Sequence, residues 1–134
     1  MQLADTNVIS ELMRQRPHPA LLAWRDMANA AYGRLTISAV TVDEIACGLA
    51  RRPHGAMLAW FDFFLERNQV LAISAPIARR AGEMRAQLAA RGHVRTQADM
   101  LIAATAQVHA LTLVTRNVRD FDGCGIAVLD PFVS

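Results

Sequence analysis

Five short apolar runs are spaced along 134 residues, separated by longer stretches in which apolar positions recur every three or four residues. The runs are Gln2–Ala4, Leu35–Ser38, Val70–Ile73, Leu111–Thr115 and Ile126–Leu129. Helical periodicity marks Pro19–Ala30, Val40–Arg51, Ala56–Arg67, Pro76–Arg91 and Ala98–His109, and Gly92 closes the fourth of these. Pro17, Pro19 and Pro53 fall at helix starts, where a missing N–H does little harm. Alternation of strand and helix predicts an α/β fold with a mostly parallel sheet flanked by helices. The length suits one core, so a single domain spanning 1–134 is expected.

That architecture gives meaning to four carboxylates, Asp5, Glu44, Asp99 and Asp120, each near a point where a strand or helix begins or ends. In an open α/β sheet, ligands bind at the carboxyl ends of strands. Asp5 follows the first strand and opens a polar turn, Asp5-Thr6-Asn7, while Asp120 follows the fourth strand after Thr115-Arg116-Asn117. Local roles also account for each acid singly. Thr41-Val42-Asp43-Glu44 and Thr96-Gln97-Ala98-Asp99 both match a helix capping box, worth about 1 kcal/mol apiece. Asp5 suits a helix cap, and Asp120 a solvated turn. Collected on one sheet edge, however, the four would repel one another and raise each other's pKa values unless they bound a cation. Magnesium, or manganese in its place, prefers such oxygen ligands. One or two of these ions activate water and offset charge on a phosphodiester, so hydrolysis of a nucleic-acid backbone is the expected chemistry.

The remaining composition narrows the alternatives. With the four acids committed to a metal, the 14 basic residues face 8 acids, a surplus of +6 suited to a polyanion. All 14 are arginine, the side chain that grips phosphate bidentately, although coding bias in a GC-rich genome alone accounts for an arginine-only, alanine-rich chain. Cys47 and Cys124 form no C-x-x-C pair, and His18, His54, His93 and His109 show no metal-binding spacing, so zinc and disulfide frameworks are not indicated. No uninterrupted apolar run approaches the roughly 20 residues that span a bilayer. Met1 leads straight into an apolar strand with no secretory pattern, so a cytoplasmic protein is expected.

Four segments, L-A-D-T-N-V-I-S-E-L at 3 to 12, S-A-V-T-V-D-E-I-A-C-G at 38 to 48, A-D-M-L-I-A-A-T-A at 98 to 106 and L-T-L-V-T-R-N-V-R-D-F at 111 to 121, together with the closing D-P-F, resemble the PIN-domain family. The resemblance is specifically to the VapC-type ribonuclease toxins of bacterial type II toxin–antitoxin pairs. They occur in family order and span nearly the whole chain. The resemblance implies a three-layer PIN fold and a metal-dependent endoribonuclease, with Asp5, Glu44 and Asp99 as acids that hold Mg²⁺. Family members often carry an Asp where this chain has Asn117, which leaves Asp120 as the candidate for the fourth catalytic and metal-binding position. Thr6 and Thr115 are expected to support the ligands. Arg116 is expected either to touch RNA phosphate or to pair with a site acid.

The resemblance further implies a homodimer and a cognate antitoxin that covers the acidic groove, giving a larger hetero-oligomer, with no membrane involvement. Leu58-Ala59-Trp60-Phe61-Asp62-Phe63-Phe64-Leu65 holds more bulky apolar surface than one helix face buries in its own core, which suits an interface or else a fully internal helix. Among rivals, a haloacid-dehalogenase-like phosphatase wants a second Asp two residues after the first, where position 7 is Asn. A receiver domain wants a lysine that the chain lacks. Dinucleotide and P-loop glycine motifs are absent. A non-catalytic PIN-fold module that binds RNA or a protein partner, its metal site weakened at Asn117, is the second reading.

Overall fold

A computed structural model describes residues 1–133. The strands are β1 (Gln2–Ala4), β2 (Thr36–Ser38), β3 (Gln69–Leu71), β4 (Thr112–Val114) and β5 (Val128–Leu129). The helices are α1 (Thr6–Leu12), α2 (Pro19–Tyr32), α3 (Ala39–Arg51), α4 (Gly55–Arg67), α5 (Ala75–Ala90) and α6 (Gln97–Val108). Every ladder is parallel, joining β1 to β4, β4 to β5 and β2 to β3. With β2 beside β1, the order across the molecule is β3-β2-β1-β4-β5. The chain therefore builds outward from β1 to one side and then returns to build outward from β4 on the other. The crevice between the carboxyl ends of β1 and β4 is the topological switch point, where α/β sheets take their ligands.

Side-chain alternation along the central strands produces the three layers. Leu3 and Leu113 join one buried cluster, packed with Ile77, Met84, Met100 and Ile102 of α5 and α6. Their neighbours Ala4 and Val114 join the other, with Val8, Leu21, Ile37, Ile45 and Phe61 from α1 to α4 and β2. A strand buried on both faces loses the polar alternation of an exposed sheet, which is why Leu111–Thr115 reads as a continuous apolar run.

Strand limits are where the sequence expectation departs most. The Val70–Ile73 run begins one residue earlier as a ladder and ends at Leu71, because Ser74 turns the chain into α5 by accepting the Ile77 N–H. Ile126 lies outside the β5 ladder, and Ala127 joins it only through its carbonyl, which accepts the Leu113 N–H at 2.9 Å. α1 follows β1 directly, capped by Asp5. The reading of Leu58–Leu65 as a fully internal helix is overturned. α4 buries Phe61 and Phe64 but leaves Leu58 50% and Phe63 55% exposed. Among the described residues, no helix is long and apolar enough to cross a membrane.

Candidate functional site

Asp5 is built into both the sheet and the helix that follows. Its N–H extends the parallel ladder by donating to the Val114 carbonyl at 2.9 Å. Its carboxylate is shared between two tasks, with Oδ1 accepting the Thr6 N–H at 2.8 Å as the cap of α1. Oδ2 accepts the Thr115 hydroxyl at 2.8 Å and the Asn7 amide at 3.2 Å. Thr115 Oγ1 in turn accepts from Asn7 Nδ2 at 3.1 Å and from the Asn117 N–H at 3.0 Å, and Asn7 Oδ1 accepts the Arg116 N–H at 3.2 Å. The turn after β1 is thereby stitched to the turn after β4. The cap expected for Asp5 exists, yet it occupies only one of the two carboxylate oxygens.

Glu44 enters from α3. The capping-box reading of this residue fails, because Ser38 caps α3 by accepting the Val40 N–H at 3.0 Å and so places Glu44 well past the first turn. Its Oε1 instead accepts the Thr6 hydroxyl at 2.6 Å. Thr6 and Thr41 hydroxyl oxygens are 3.0 Å apart. With the single Thr6 proton directed to Glu44, Thr41 is the donor in that pair. At α6 the cap is real: Thr96 Oγ1 accepts the Asp99 N–H at 3.1 Å. The Asp99 backbone serves the cap while its side chain lines the cleft.

Asp5, Glu44 and Asp99 line one cleft of about 450 Å³, with Thr6 and Asn117 also on its wall. Burial pushes the Asp5 carboxyl up, the Thr115 and Thr6 bonds oppose this, and the charges of Asp99 and Glu44 push it further. Asp99 is raised first by burial, with the Thr96 hydroxyl opposing and the charges of Asp120 and Glu44 adding. Burial and neighbouring acids thus disfavour the charged form of both carboxylates, with the charge of Arg95 partly offsetting this at Asp99. Among the described residues, no three His, Cys, Asp or Glu side chains are grouped so that they could hold a metal ion between them. An open wall of carboxylates fits a hard divalent ion that keeps several waters and takes only one or two carboxylates from the protein. No histidine or cysteine lines the cleft, so the donor set does not suit zinc.

The other expected residues are placed unequally. Thr115 is fully buried against Asp5. Arg116 forms no ion pair among the described residues, contrary to one of its two expected roles, and its guanidinium instead lies 3.7 Å from the Phe132 ring centroid. Asp120 is exposed on a 3-10 turn, Val118–Phe121, and lines the two hollows beside the cleft rather than the cleft itself, where Asn117 stands. Asn7, Ser10, Glu11 and Arg14 complete the cleft wall and were not anticipated. Their spacing carried a signal: Thr6 with Ser10, and Asn7 with Glu11 and Arg14, recur at the three- and four-residue intervals of one helix face.

Residues 3–123 match the PIN domain model. The chain is 36% identical to the VapC ribonuclease Y4jK of Sinorhizobium fredii, with 98% of each chain covered. Its fold superposes on the solved structure of FitAcB from Neisseria gonorrhoeae with a TM-score of 0.87 and 31% identity, covering 100% of both chains. It superposes on a toxin–antitoxin complex from Klebsiella pneumoniae with a TM-score of 0.73 and 28% identity, covering 98% of each. The order of motifs, the parallel sheet and the acids at its switch point thus have one common origin: the chain belongs to the PIN-domain family, among its VapC-type members.

Proposed function

We propose that this protein is a Mg²⁺-dependent endoribonuclease acting as the toxin of a toxin–antitoxin pair. The observation that carries the proposal is the cleft lined by Asp5, Glu44 and Asp99 at the sheet's switch point. The ribonuclease name of the Sinorhizobium relative supports the reaction, and the Klebsiella complex supports the partner. Asp5, Glu44 and Asp99 would hold Mg²⁺, with Mn²⁺ able to substitute. Held there, the ion would supply charge neutralisation at the phosphodiester and would lower the pKa of water.

The chain's own groups prepare that site. Thr115 and Asn7 fix the orientation of the Asp5 Oδ2 atom, and Thr6 keeps Glu44 an acceptor by directing its proton to Oε1. Asn117 offers a neutral oxygen where an acid would add charge, which is the one observation favouring a non-catalytic module. A mixed tRNA, rRNA and mRNA pool incubated with antitoxin-free protein decides between the two. Discrete products with Mg²⁺ and none with EDTA are expected; intact RNA in both, from folded protein, would leave only the binding module.

Homodimerisation and capture by a cognate antitoxin, in the cytoplasm, complete the proposal. Leu58 and Phe63 on α4, with Val70 39% exposed on the edge strand β3, offer apolar surface for an interface. Mass measurement on a sizing column at micromolar concentration is expected to give twice the 14.7 kDa chain mass. A species of single-chain mass would sink the dimer.

A further inference from the structure

Beside the acidic cleft lie two further hollows that the proposed chemistry leaves unused. The first, of about 360 Å³, is lined by Arg116, Asn117, Val118, Arg119, Asp120 and Asp130. The second, of about 420 Å³, includes Arg91, His93, Arg95, Arg119 and Asp120. The three concavities share walls. Asn117 lines both the cleft and the first hollow, and Arg119 and Asp120 line both hollows.

What sets the arginines here apart is their grouping around adjoining hollows, since Arg16, Arg34, Arg51, Arg52, Arg67 and Arg85 elsewhere are likewise without an ion pair among the described residues. Arg14, Arg25, Arg79 and Arg80 each reach a carboxylate. Among the described residues Arg91, Arg95, Arg116 and Arg119 form no ion pair, although Asp120, Asp122 and Asp130 are in the same hollows. Arg95 is under-bonded in a second way. Its Nε is buried with no hydrogen-bond partner among the described residues, and its Nη2 makes one long bond, 3.4 Å, to the Arg119 carbonyl. A guanidinium has five N–H donors, and leaving them unmet where water is scarce is costly. Arg116 is already held in place by stacking on Phe132.

We propose that these two hollows form a phosphate track, in which Arg116, Arg119, Arg95 and Arg91 bind successive backbone phosphates of an RNA strand leaving the acidic cleft. The inference rests on the ribonuclease reading and extends it to the positioning of substrate. A polymer whose scissile bond lies in the cleft and whose strand passes Asn117 meets these arginines next. RNA presents a phosphate at every nucleotide, matching planar donors that form no ion pair among the described residues.

Affinity is read by fluorescence anisotropy on a labelled single-stranded RNA of 20 nucleotides, with EDTA present so that nothing is cut. Arg91→Gln, Arg95→Gln and Arg119→Gln are each expected to weaken binding about 3- to 10-fold. Each lost phosphate contact flattens the dependence of log affinity on log salt by about 0.7. Because Arg95 is half-buried, the exposed pair Arg91 and Arg119 carries the test should Arg95→Gln fail to fold. In cleavage assays the loss is expected in KM more than in kcat. Unchanged affinity and salt slope in all three variants, with wild-type protein still cutting RNA, would overturn the track and leave the ribonuclease standing. RNA held through these arginines but never cut would keep the track and remove the ribonuclease. A poly-glutamate peptide that displaces the RNA at equal charge concentration would assign the hollows to an acidic peptide instead.

Discussion

Replacing Asp5 by Asn is expected to reduce RNA cleavage on the order of 10²- to 10³-fold, the loss typical of removing one preorganised electrostatic group from a reaction centre. The substitution keeps the shape and the Thr6 cap but takes away the charge, and it turns one acceptor oxygen into a donor facing the Asn7 amide. Asp99→Asn should fall in the same range, since that carboxylate lines the same cleft. Thr115→Val removes a positioning group rather than a charge, so a smaller loss of roughly 10- to 100-fold in metal affinity is expected. Asp120→Asn provides the contrast. Its side chain lines the adjoining hollows, so less than about a tenfold change is expected, well below the Asp5 effect. Initial rates on a defined RNA, with circular dichroism to confirm folding, supply the readout. A folded Asp5→Asn protein that cuts at the parental rate would remove Asp5 from the chemistry.

Leu113→Ala is expected to cost about 3 to 4 kcal/mol, among the larger effects a single core truncation produces. Leu113 is fully buried in the middle of β4, in register with Leu3 on one side and Val128 on the other. It packs into the buried cluster under α5 and α6, with Met84, Met100 and Ile102 among its members. Total stabilities of roughly 5 to 15 kcal/mol make this a substantial fraction, and urea denaturation midpoints measure it directly. Leu58→Ala, on the exposed face of α4, should shift stability by less than about 1 kcal/mol. Equal losses from the two substitutions would contradict the burial pattern.

The alternation of runs was sufficient to read the α/β class, and the parallel ladders with helices on both faces follow it closely. Local periodicity fixed the helices within a few residues, helped by distinct caps such as Ser74 and Thr96, even though α6 is buried on nearly all sides from Ile102 to Ala106. Strand limits were harder to read, since Ile73 and Ile126 are apolar for packing reasons without belonging to a ladder. At the site, Asp5 and Asp99 were legible because strand ends and helix starts share one edge of a parallel sheet, whereas Glu44 reaches the same cleft from beyond the first turn of α3. The true cap of α3 was not, because Ser38 and Thr41 are equally good capping residues and only the end of β2 decides between them. Nor could the sequence separate Asn117 from Asp120. The two are three residues apart, and the 3-10 turn held by buried Phe121 puts Asp120 in the adjoining hollows, still close enough for its charge to act on Asp99.

The bond from the Asp5 amide to the Val114 carbonyl has a final consequence. Side chains on a mobile loop can be switched off by swinging the loop aside, a motion of microseconds to milliseconds with little energetic penalty. Asp5 has no such freedom, because withdrawing it means opening the central strand pair, an event close in cost to global unfolding. A centre anchored in this way has no resting conformation of its own. On the proposed reading its activity would be restrained by occlusion or by ion supply, and an occluding partner would have to remain bound for as long as silence is needed.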